Sequence, residues 1–398
     1  MKVAKFGGTS MADENTFPLV LQKVLCEKDV AATVVSAGGK TKNYPKITDA
    51  LIKARDDVAA GKSPEKSLSA ICERLYLLKN AIRAKTDIEK ELAIIGRELL
   101  KNSSPDFLLS RGEYLYSRLF AEYSGLKFID AADVIKFYDD GRLNLEYSCF
   151  LLSETYKRYG KFVTGGFYGS KPDGTIKTFA RGGGDMSGAI VARALGAETY
   201  LNFTDVNGIS PFDPAETGKE KTIKEISYGE IRRLGEFGAS VLFPDAAIPL
   251  IETGIKTEIR NTFSSVSGTV VKDDAPPVFC GAIKRGYKRI KIRKFGDGYS
   301  YLSELSGKNA PIILADGDHT EGIFLGDAPQ DIPAERIEKE DGVSLLYMSD
   351  CKESEGAYFR MLSARLAVLS ARKNGGYYAA FYDGRREDMV SVIKDFIY

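Results

Sequence analysis

The sequence is constrained most by short apolar runs that stop abruptly at glycine. The first run, over residues 3–6, stops at Gly7 and Gly8, and a helical pattern begins near Asp13. Such a run is typical of a buried parallel strand. A strand that turns over glycines into a helix directs backbone N–H groups at one spot, where the helix dipole favours an anion. The stretch therefore predicts either a phosphate cradle that Lys5 also reaches or an ordinary strand–turn–helix.

Similar junctions recur along the chain. A second strand, over 30–36, ends near Gly38. The segment Arg181-Gly-Gly-Gly-Asp185 opens a helix, and a later strand delivers Thr204 and Asp205. Alternating strands and helices predict an α/β fold, in which a mostly parallel open sheet lies between helices on both faces. Because ligands bind along the carboxyl edge of such a sheet, we expect these strand ends to form one site.

Composition narrows the classes of partner and chemistry. With 56 basic and 55 acidic residues, the net charge is near zero, which argues against a nucleic-acid or membrane partner. No apolar run approaches the roughly 18 residues of a membrane helix, and the N-terminus lacks a signal-peptide pattern. The five cysteines form no Cys-x-x-Cys pair, as is usual in a reducing compartment, so we expect a cytoplasmic protein. The one histidine is His319, so residues 1–318 contain none. This argues against a histidine-based metal site or a serine–histidine triad within that part of the chain.

The chain changes character near residue 272. The stretch Lys272-Asp273-Asp274-Ala275-Pro276-Pro277 is acidic and then stiffened by proline, which is typical of a linker. Beyond it, short strands alternate with few helices, mainly over 357–373 and 386–397. This pattern predicts a smaller α+β region after the larger α/β domain.

The residues of the expected site suit phosphoryl transfer. Glycine loops can approach phosphate oxygens, Lys5 can stabilise charge on the moving group, and carboxylates can hold a lysine or a magnesium-bound water. Arg181 offers a bidentate fork for a small acidic acceptor. Simpler alternatives stay open at this point: an N-cap for Asp185, a turn cap for Asp205 and a solvated ion-pair face for Glu113.

Several motifs follow one another along the chain: Lys5-Phe6-Gly7-Gly8-Thr9-Ser10, Ser36-Ala37-Gly38, Ser110-Arg111-Gly112-Glu113, Gly166-Phe167, Thr178-x-x-Arg181-Gly182-Gly183-x-Asp185, Thr204-Asp205-Val206-x-Gly208-Ile209, Asp213-Pro214 and Phe237-Gly238-Ala239. In this order they resemble the motifs of the aspartokinases, which belong to the amino-acid kinase superfamily. The resemblance implies an amino-acid kinase catalytic domain over 1–271, a linker over 272–278 and an ACT-like regulatory region over 279–398, formed by two degenerate ACT units.

The resemblance also assigns roles. Lys5 and Asp185 are the implied catalytic residues. ATP, with Mg²⁺ as its companion, would contact Lys5, Gly7, Gly8, Ser10, Gly183, Thr204 and Asp205. L-Aspartate would be held by Ser36, Thr48, Glu113, Phe167, Thr178 and Arg181. The implied partners are a lysine or threonine effector and further copies of the chain, joined through the C-terminal region as a homodimer or higher homo-oligomer.

The implied reaction is the ATP-dependent phosphorylation of the β-carboxylate of L-aspartate, the first step towards lysine, threonine and methionine. A carboxylate acceptor is already ionised at neutral pH. It can attack the γ-phosphoryl group without a general base, so the scarcity of histidine is no obstacle. The site must supply alignment and charge stabilisation.

The sequence departs from the family pattern at binding positions. The family's serine, tyrosine, arginine, lysine and histidine are replaced at Gly184, Ser210, Ala215, Ser240 and Phe243. Loss of two cations beside a triphosphate predicts weaker ATP binding, by about 1.5–3 kcal/mol for each charge-assisted hydrogen bond lost. Three hypotheses therefore stay open: an aspartate kinase, a relative that phosphorylates another carboxylate or a carbamate, and a catalytically weak, amino-acid-binding regulatory protein.

Overall fold

A computed structural model of the chain describes residues 1–101, 104–180, 182–218, 220–238, 242, 244–293, 312–315, 319–324, 337–364, 366, 369–373, 375–382 and 385–398. The chain forms two compact units: Met1–Ile209 with Val241–Asp274, and Ser210–Ser240 with Ala275–Tyr398. This division differs from the one drawn at 272–278, because residues 210–240 group with the C-terminal part. The assignment of a catalytic domain and a regulatory region stays a prediction.

Strands and helices alternate through most of the first unit. In chain order they are β1 (Lys2–Phe6), α1 (Thr16–Cys26), β2 (Val30–Val35), α2 (Ile47–Ala59), α3 (Glu65–Ile82), α4 (Ile88–Leu100), α5 (Pro105–Ser124), β3 (Lys127–Ile129), α6 (Ala131–Val134), α7 (Leu145–Tyr159), β4 (Phe162–Gly165), β5 (Tyr168–Ser170), β6 (Ile176–Thr178), α8 (Gly183–Ala194) and β7 (Thr199–Thr204).

The next stretch is shared between the two units. The second unit takes α9 (Pro214–Thr217), β8 (Glu225–Ile226) and α10 (Tyr228–Glu236). The first unit is completed by a 3₁₀ turn at Pro244–Ala247, α11 (Ile248–Ile251), β9 (Lys256–Asn261) and β10 (Thr269–Val271).

The strands of the first unit lie in the order β3-β4-β2-β1-β7-β9-β10. Every neighbouring pair is parallel except β9 and β10, which are antiparallel. All six residues of β2 are buried, as expected for a central strand covered by helices on both faces. The prediction of a mostly parallel α/β sheet is confirmed. The carboxyl ends of β1, β2, β4 and β7 share one edge.

Alternation along β1 and β7 directs neighbouring side chains to opposite faces of the sheet. Phe6 and Phe203 stack with ring centroids 4.6 Å apart and belong to the core that includes Phe17 of α1 and Phe120 of α5. Lys5 therefore points to the other face, where α8 packs against β1 and β7. One strand thus supplies both the core and the candidate site.

The second unit contains a six-stranded sheet in the order β12-β13-β11-β14-β16-β15. Its elements are β11 (Gly281–Arg293), β12 (Ile312–Ala315), β13 (His319–Phe324), β14 (Ile337–Ser349), α12 (Lys352–Ser363), β15 (Leu369–Lys373), β16 (Gly376–Tyr382) and α13 (Arg386–Ile397). Buried residues of β14, β16 and both helices form its core. This sheet with two helices agrees with the predicted α+β region.

One predicted helix of this unit is wrong in part. The apolar spacing predicted a helix over 357–373, whereas α12 ends at Ser363 and residues 369–373 form β15. The short strand pairs antiparallel with β16 across a turn at Gly375, whose φ is +72°. A glycine-rich turn favours a hairpin, and pairing in the sheet outweighs helical periodicity here. No helix within the described residues is long and apolar enough to cross a membrane.

Candidate active site

Three polar side chains meet near the carboxyl ends of β1 and β7. The Lys5 ammonium donates to Asp185 Oδ1 at 2.7 Å and to Asn202 Oδ1 at 3.2 Å. Asn202 Nδ2 donates to the same Asp185 oxygen at 3.1 Å. The side chains of Lys5 and Asp185 are only 12% and 14% exposed, so their ion pair is little screened by solvent. The cluster fixes the position of a cation that the site can direct at a phosphate.

The fold explains why these three residues meet. Lys5 and Asn202 are register partners on the parallel strands β1 and β7. Asp185 enters from the first turn of α8, where the helix dipole favours a carboxylate. The turn before it depends on Gly182, which has a φ of +60°, a left-handed conformation that glycine adopts readily. Asn202 was missed from the sequence, since only strand pairing reveals it as the neighbour of Lys5.

Two glycine loops meet beside this cluster. The Gly7 N–H donates to the Phe203 carbonyl at 3.1 Å, and the Gly39 N–H donates to the Gly8 carbonyl at 2.7 Å. A Cβ atom on Gly39 would lie 2.6 Å from the Gly8 carbonyl carbon, so no larger residue fits without separating the loops. The structure thus brings together the loops after β1 and β2, as the sequence predicted.

Gly184 lies between Ser36 and Lys5. A Cβ atom at position 184 would be 3.2 Å from Ser36 Oγ and 3.4 Å from Lys5 Cε. On the other side, a Cβ atom on Gly166 would be 3.0 Å from the Gly184 Cα atom. A side chain at 184 would therefore bring atoms into close contact with Ser36 and Lys5, and glycine lets the backbone pass near both of them.

Phe167 shapes the glycine segment that precedes Asp185. Its φ is +78°, an uncommon and strained conformation for a bulky residue. Its N–H donates to Ser187 Oγ at 2.9 Å and to the Gly183 carbonyl at 3.3 Å. A Cβ atom on Gly183 would lie 2.6 Å from the Phe167 ring. The two predicted site residues Phe167 and Gly183 are therefore in direct contact.

Glu113 is a buried carboxyl group on α5. Its side chain is 6% exposed, and Oε2 has no hydrogen-bond partner within the described part of the chain. Burial raises the pKa of Glu113 to about 7, against the opposing effect of a hydrogen bond from the Ala37 backbone. A cationic group of a ligand would lower this pKa and keep the carboxylate ionised.

The alternative of a solvated ion-pair face for Glu113 is wrong. Arg118 instead pairs with Glu91 at 2.6 Å. The Arg111 guanidinium lies over the rings of Phe107 and Tyr114, at 4.5 and 4.4 Å from their centroids. Both arginines that flank Glu113 in sequence are thus engaged elsewhere.

The turn after β7 carries Thr204 and Asp205. Thr204 Oγ1 donates to Asp205 Oδ1 at 3.1 Å, and the Asp205 side chain is exposed. Asn261 at the end of β9 donates to the Asp205 carbonyl at 3.2 Å and to Asn207 Oδ1 at 2.8 Å. Asn261 therefore holds this turn in place, and nothing in the sequence singled it out.

Two other predicted residues have partners outside the cluster. The Ser10 hydroxyl is fully buried and lies 2.7 Å from Thr262 Oγ1, which joins the loop after β1 to the end of β9. Thr178 Oγ1 donates to Asp106 Oδ1 at 2.6 Å. Their roles towards ATP and aspartate stay predictions.

Among the described residues, one further predicted residue is not joined to the Lys5 cluster by any described contact. Thr48 is half-buried in the first turn of α2, after the loop that carries Ser36. Arg181 lies outside the described residues, as do Ser240 and Phe243. Within the part of the chain that the structure describes, no three His, Cys, Asp or Glu side chains are grouped so that they could hold a metal ion.

Comparison with known proteins identifies the family. A sequence profile of the amino acid kinase family matches residues 1–261. Aspartokinase 3 of Bacillus subtilis is 33% identical over 319 residues, which are 74% of this chain and 69% of that protein.

Two solved structures resemble the whole chain. Aspartate kinase of Clostridium acetobutylicum superimposes with a TM-score of 0.87 at 27% identity, over 100% of both chains. Aspartokinase III of Escherichia coli, solved in complex with aspartate and ADP, has a TM-score of 0.77 at 23% identity, over 100% of this chain and 99% of that one. At 23% identity, the similarity to the Escherichia coli structure shows a shared fold and nothing more. Together with the sequence matches, these findings show that the chain belongs to the amino acid kinase family and, within it, to the aspartokinases.

Proposed function

We propose that this protein transfers the γ-phosphoryl group of ATP to the β-carboxylate of L-aspartate, which yields 4-phospho-L-aspartate and ADP. The observation that carries the proposal is the partly buried Lys5–Asp185–Asn202 cluster beside two glycine loops, in a chain that belongs to the aspartokinases. The same two ligand types, aspartate and an adenine nucleotide, are those of the E. coli neighbour. The product is an acyl phosphate for amino-acid biosynthesis.

Phosphoryl transfer needs alignment and charge stabilisation rather than covalent catalysis. The glycine backbones can approach phosphate oxygens closely, and the Lys5 ammonium can stabilise the charge of the group in transfer. Asp185 and Asn202 hold that ammonium in place. Mg²⁺ that accompanies ATP would shield the phosphate charges, held by the phosphates and water molecules, since no cluster of acidic side chains that could hold a metal ion is found among the described residues.

The acceptor side rests on Glu113, Ser36 and Arg181. The aspartate ammonium would ionise Glu113, the Ser36 hydroxyl would hydrogen-bond the acceptor, and the Arg181 guanidinium would bind a carboxylate. The β-carboxylate attacks in its ionised form, so no base is needed. From the resemblance alone, we also propose a lysine or threonine effector, a homo-oligomer and a cytoplasmic location.

The decisive experiment is coupled ADP release with ATP, Mg²⁺ and L-aspartate. We expect turnover in the wild type and a loss of about 10²–10³ in kcat for Lys5→Ala and Asp185→Ala, as for the removal of one preorganised electrostatic group. Lys53→Ala is the matched control, because Lys53 is exposed on α2 and pairs only locally with Asp57. Equal turnover in Lys5→Ala and wild type would contradict the proposed roles.

A second candidate function is supported by Gly184. Glycine removes the family's serine side chain beside Ser36 and Lys5, which favours an acceptor other than aspartate, such as another carboxylate or a carbamate. A panel of acidic amino acids and carbamates discriminates the two functions, and a clear preference for aspartate rules the second one out. Absence of turnover with every acceptor, together with weak Mg-ATP binding in calorimetry, would favour the third hypothesis of a regulatory, amino-acid-binding protein.

A further inference from the structure

Arg74 of α3 is a buried arginine that bonds two separate loops. Its side chain is 3% exposed. Nη1 donates to the Pro45 carbonyl at 2.7 Å, and Nη2 donates to the carbonyls of Ala12 and Gly39, both at 2.5 Å. Ala12 belongs to the loop after β1, whereas Gly39 and Pro45 belong to the loop after β2. One guanidinium therefore joins the two loops that carry the glycines of the site.

The loop after β2 packs closely against this arginine. A Cβ atom on Gly38 would lie 2.3 Å from Tyr116 Oη and 2.7 Å from Arg74 Nη2. The guanidinium carbon is 5.8 Å from the centroid of the Tyr116 ring, which is fully buried. Only glycine at 38 allows the backbone to approach the Arg74–Tyr116 pair this closely. The loop conformation and the position of Arg74 therefore determine each other.

Gly39 connects Arg74 to the loop after β1 through backbone hydrogen bonds. The Gly39 N–H donates to the Gly8 carbonyl at 2.7 Å, while the Gly39 carbonyl accepts from Arg74. The Met11 N–H in turn donates to the carbonyls of Gly7 and Gly8. A shift of Gly39 would thus move Gly8 in the loop after β1.

The chemistry at this position calls for arginine. A planar guanidinium offers several N–H donors in fixed directions, so it can bind carbonyls from two loops at once, whereas a lysine ammonium is a flexible point charge. Burial of a charge is costly unless hydrogen bonds satisfy it. A buried cation bonded to loop carbonyls is therefore suited to fixing backbone positions.

We propose that Arg74 is a positioning residue that couples binding of the two substrates. It holds the loop over 7–12, which faces the phosphates, against the loop over 36–46, which begins with Ser36 on the acceptor side. A ligand that orders one loop then lowers the entropic cost of ordering the other. The assignment of a substrate to each loop rests on the proposed function, whereas the coupling of the loops does not.

The test compares full-length Arg74→Met and Arg74→Lys with the wild type. We expect Arg74→Met to raise the KM of both ATP and aspartate at least 10-fold, with kcat reduced less than 5-fold, because the Lys5 cluster is untouched. Arg74→Lys should be intermediate. Arg97→Met, in the exposed part of α4, is the matched control and should leave both KM values unchanged.

The aspartate Kd should respond to a non-hydrolysable ATP analogue in the wild type and not in Arg74→Met. Unchanged KM values in Arg74→Met would overturn the proposal.

Amide hydrogen exchange separates positioning from folding and from the identity of the substrates. We expect Arg74→Met to accelerate exchange of the Met11 and Gly39 amides at least 10-fold, while exchange in β2 stays as in the wild type. Equal acceleration in β2 would indicate general destabilisation and overturn the proposal, as would unchanged exchange in the loops. If the wild type fails to phosphorylate aspartate, the proposed function fails, and the exchange experiment still decides the role of Arg74.

Discussion

The Lys5 ammonium and the Asp185 carboxylate, 180 positions apart in sequence, form an ion pair of 2.7 Å at one edge of the sheet. Lys5 comes from the central strand β1, and Asp185 comes from the first turn of the helix that packs on that strand. Both side chains are largely removed from solvent. A lysine held in this way loses little entropy when a phosphate arrives, which is the benefit of preorganisation.

Asn202 should matter for the chemical step as well as for the fold. We expect Asn202→Ala to lower kcat about 10–100-fold and to destabilise the fold by about 1–3 kcal/mol, because the buried ion pair loses hydrogen bonds to the amide. KM should change little. Steady-state kinetics and urea unfolding measure the two effects, with Asn80→Ala on the exposed side of α3 as the control. Wild-type kcat in Asn202→Ala would contradict this role.

Glu113 should make acceptor binding depend on pH. Burial raises its pKa to about 7, and a substrate ammonium binds the ionised form. We therefore expect kcat/KM for aspartate to fall about tenfold per pH unit below pH 7. Glu113→Gln should lower kcat/KM at neutral pH and abolish this slope. A pH profile over about three units around neutral pH measures the slope. A slope that persisted in Glu113→Gln would contradict this role of Glu113.

Glu113 should also make the free energy of unfolding depend on pH. A salt-bridged acid stabilises the fold as pH rises, whereas Glu113 should destabilise it. Its pKa is raised from 4.5 to about 7 in the folded chain, so the folded state holds a proton that the unfolded state has lost. Stability therefore falls as pH rises between these two values, by about 3 kcal/mol in total. Glu113→Gln removes this contribution, so its stability relative to the wild type should increase from pH 5 to pH 8 in urea unfolding. A constant difference would argue against the raised pKa.

Position 184 should control the space beside Ser36 and Lys5. Gly184→Ser should fold normally, because the contacts at 3.2 and 3.4 Å are with side-chain atoms of Ser36 and Lys5 and not with backbone. We expect it to reduce kcat/KM for bulky acceptors about 10-fold more than for aspartate, on the scale of one misfit group in a pocket. Acceptor competition assays measure this ratio. Gly96→Ser on α4, where no atom lies within 4 Å of the added Cβ, is the control, and an unchanged ratio in Gly184→Ser would contradict the idea.

Gly39 should tolerate no side chain. An added Cβ would lie 2.6 Å from the Gly8 backbone, so Gly39→Ala must separate the two glycine loops and should cost about 1–3 kcal/mol. We expect activity to fall more than 10-fold even at temperatures where the variant stays folded. Gly229→Ala, whose nearest contact is 3.8 Å away, is the control. Full activity in Gly39→Ala would show that the contact between the loops is dispensable.

Local patterns in the sequence determined many of the strands and helices of this protein. Apolar runs that stop at glycine, followed by helical periodicity, identify β1, β2, α8 and the mostly parallel sheet, because these signals depend on neighbours a few residues away. They also predict Lys5 and Asp185 as candidate site residues. The helix predicted over 357–373 was wrong beyond Ser363, since pairing of β15 with β16 involves the sheet and not the local pattern.

Only the tertiary structure decided which groups meet and which are buried. Asn202 meets Lys5 because β7 pairs with β1 in one register. Arg74 bonds two loops distant in sequence because α3 lies against both of them. Glu113 has a raised pKa because its surroundings exclude water, although its sequence neighbours are arginines. Strand order, register and burial result from packing across the whole unit, and a single sequence carries no local signal for them.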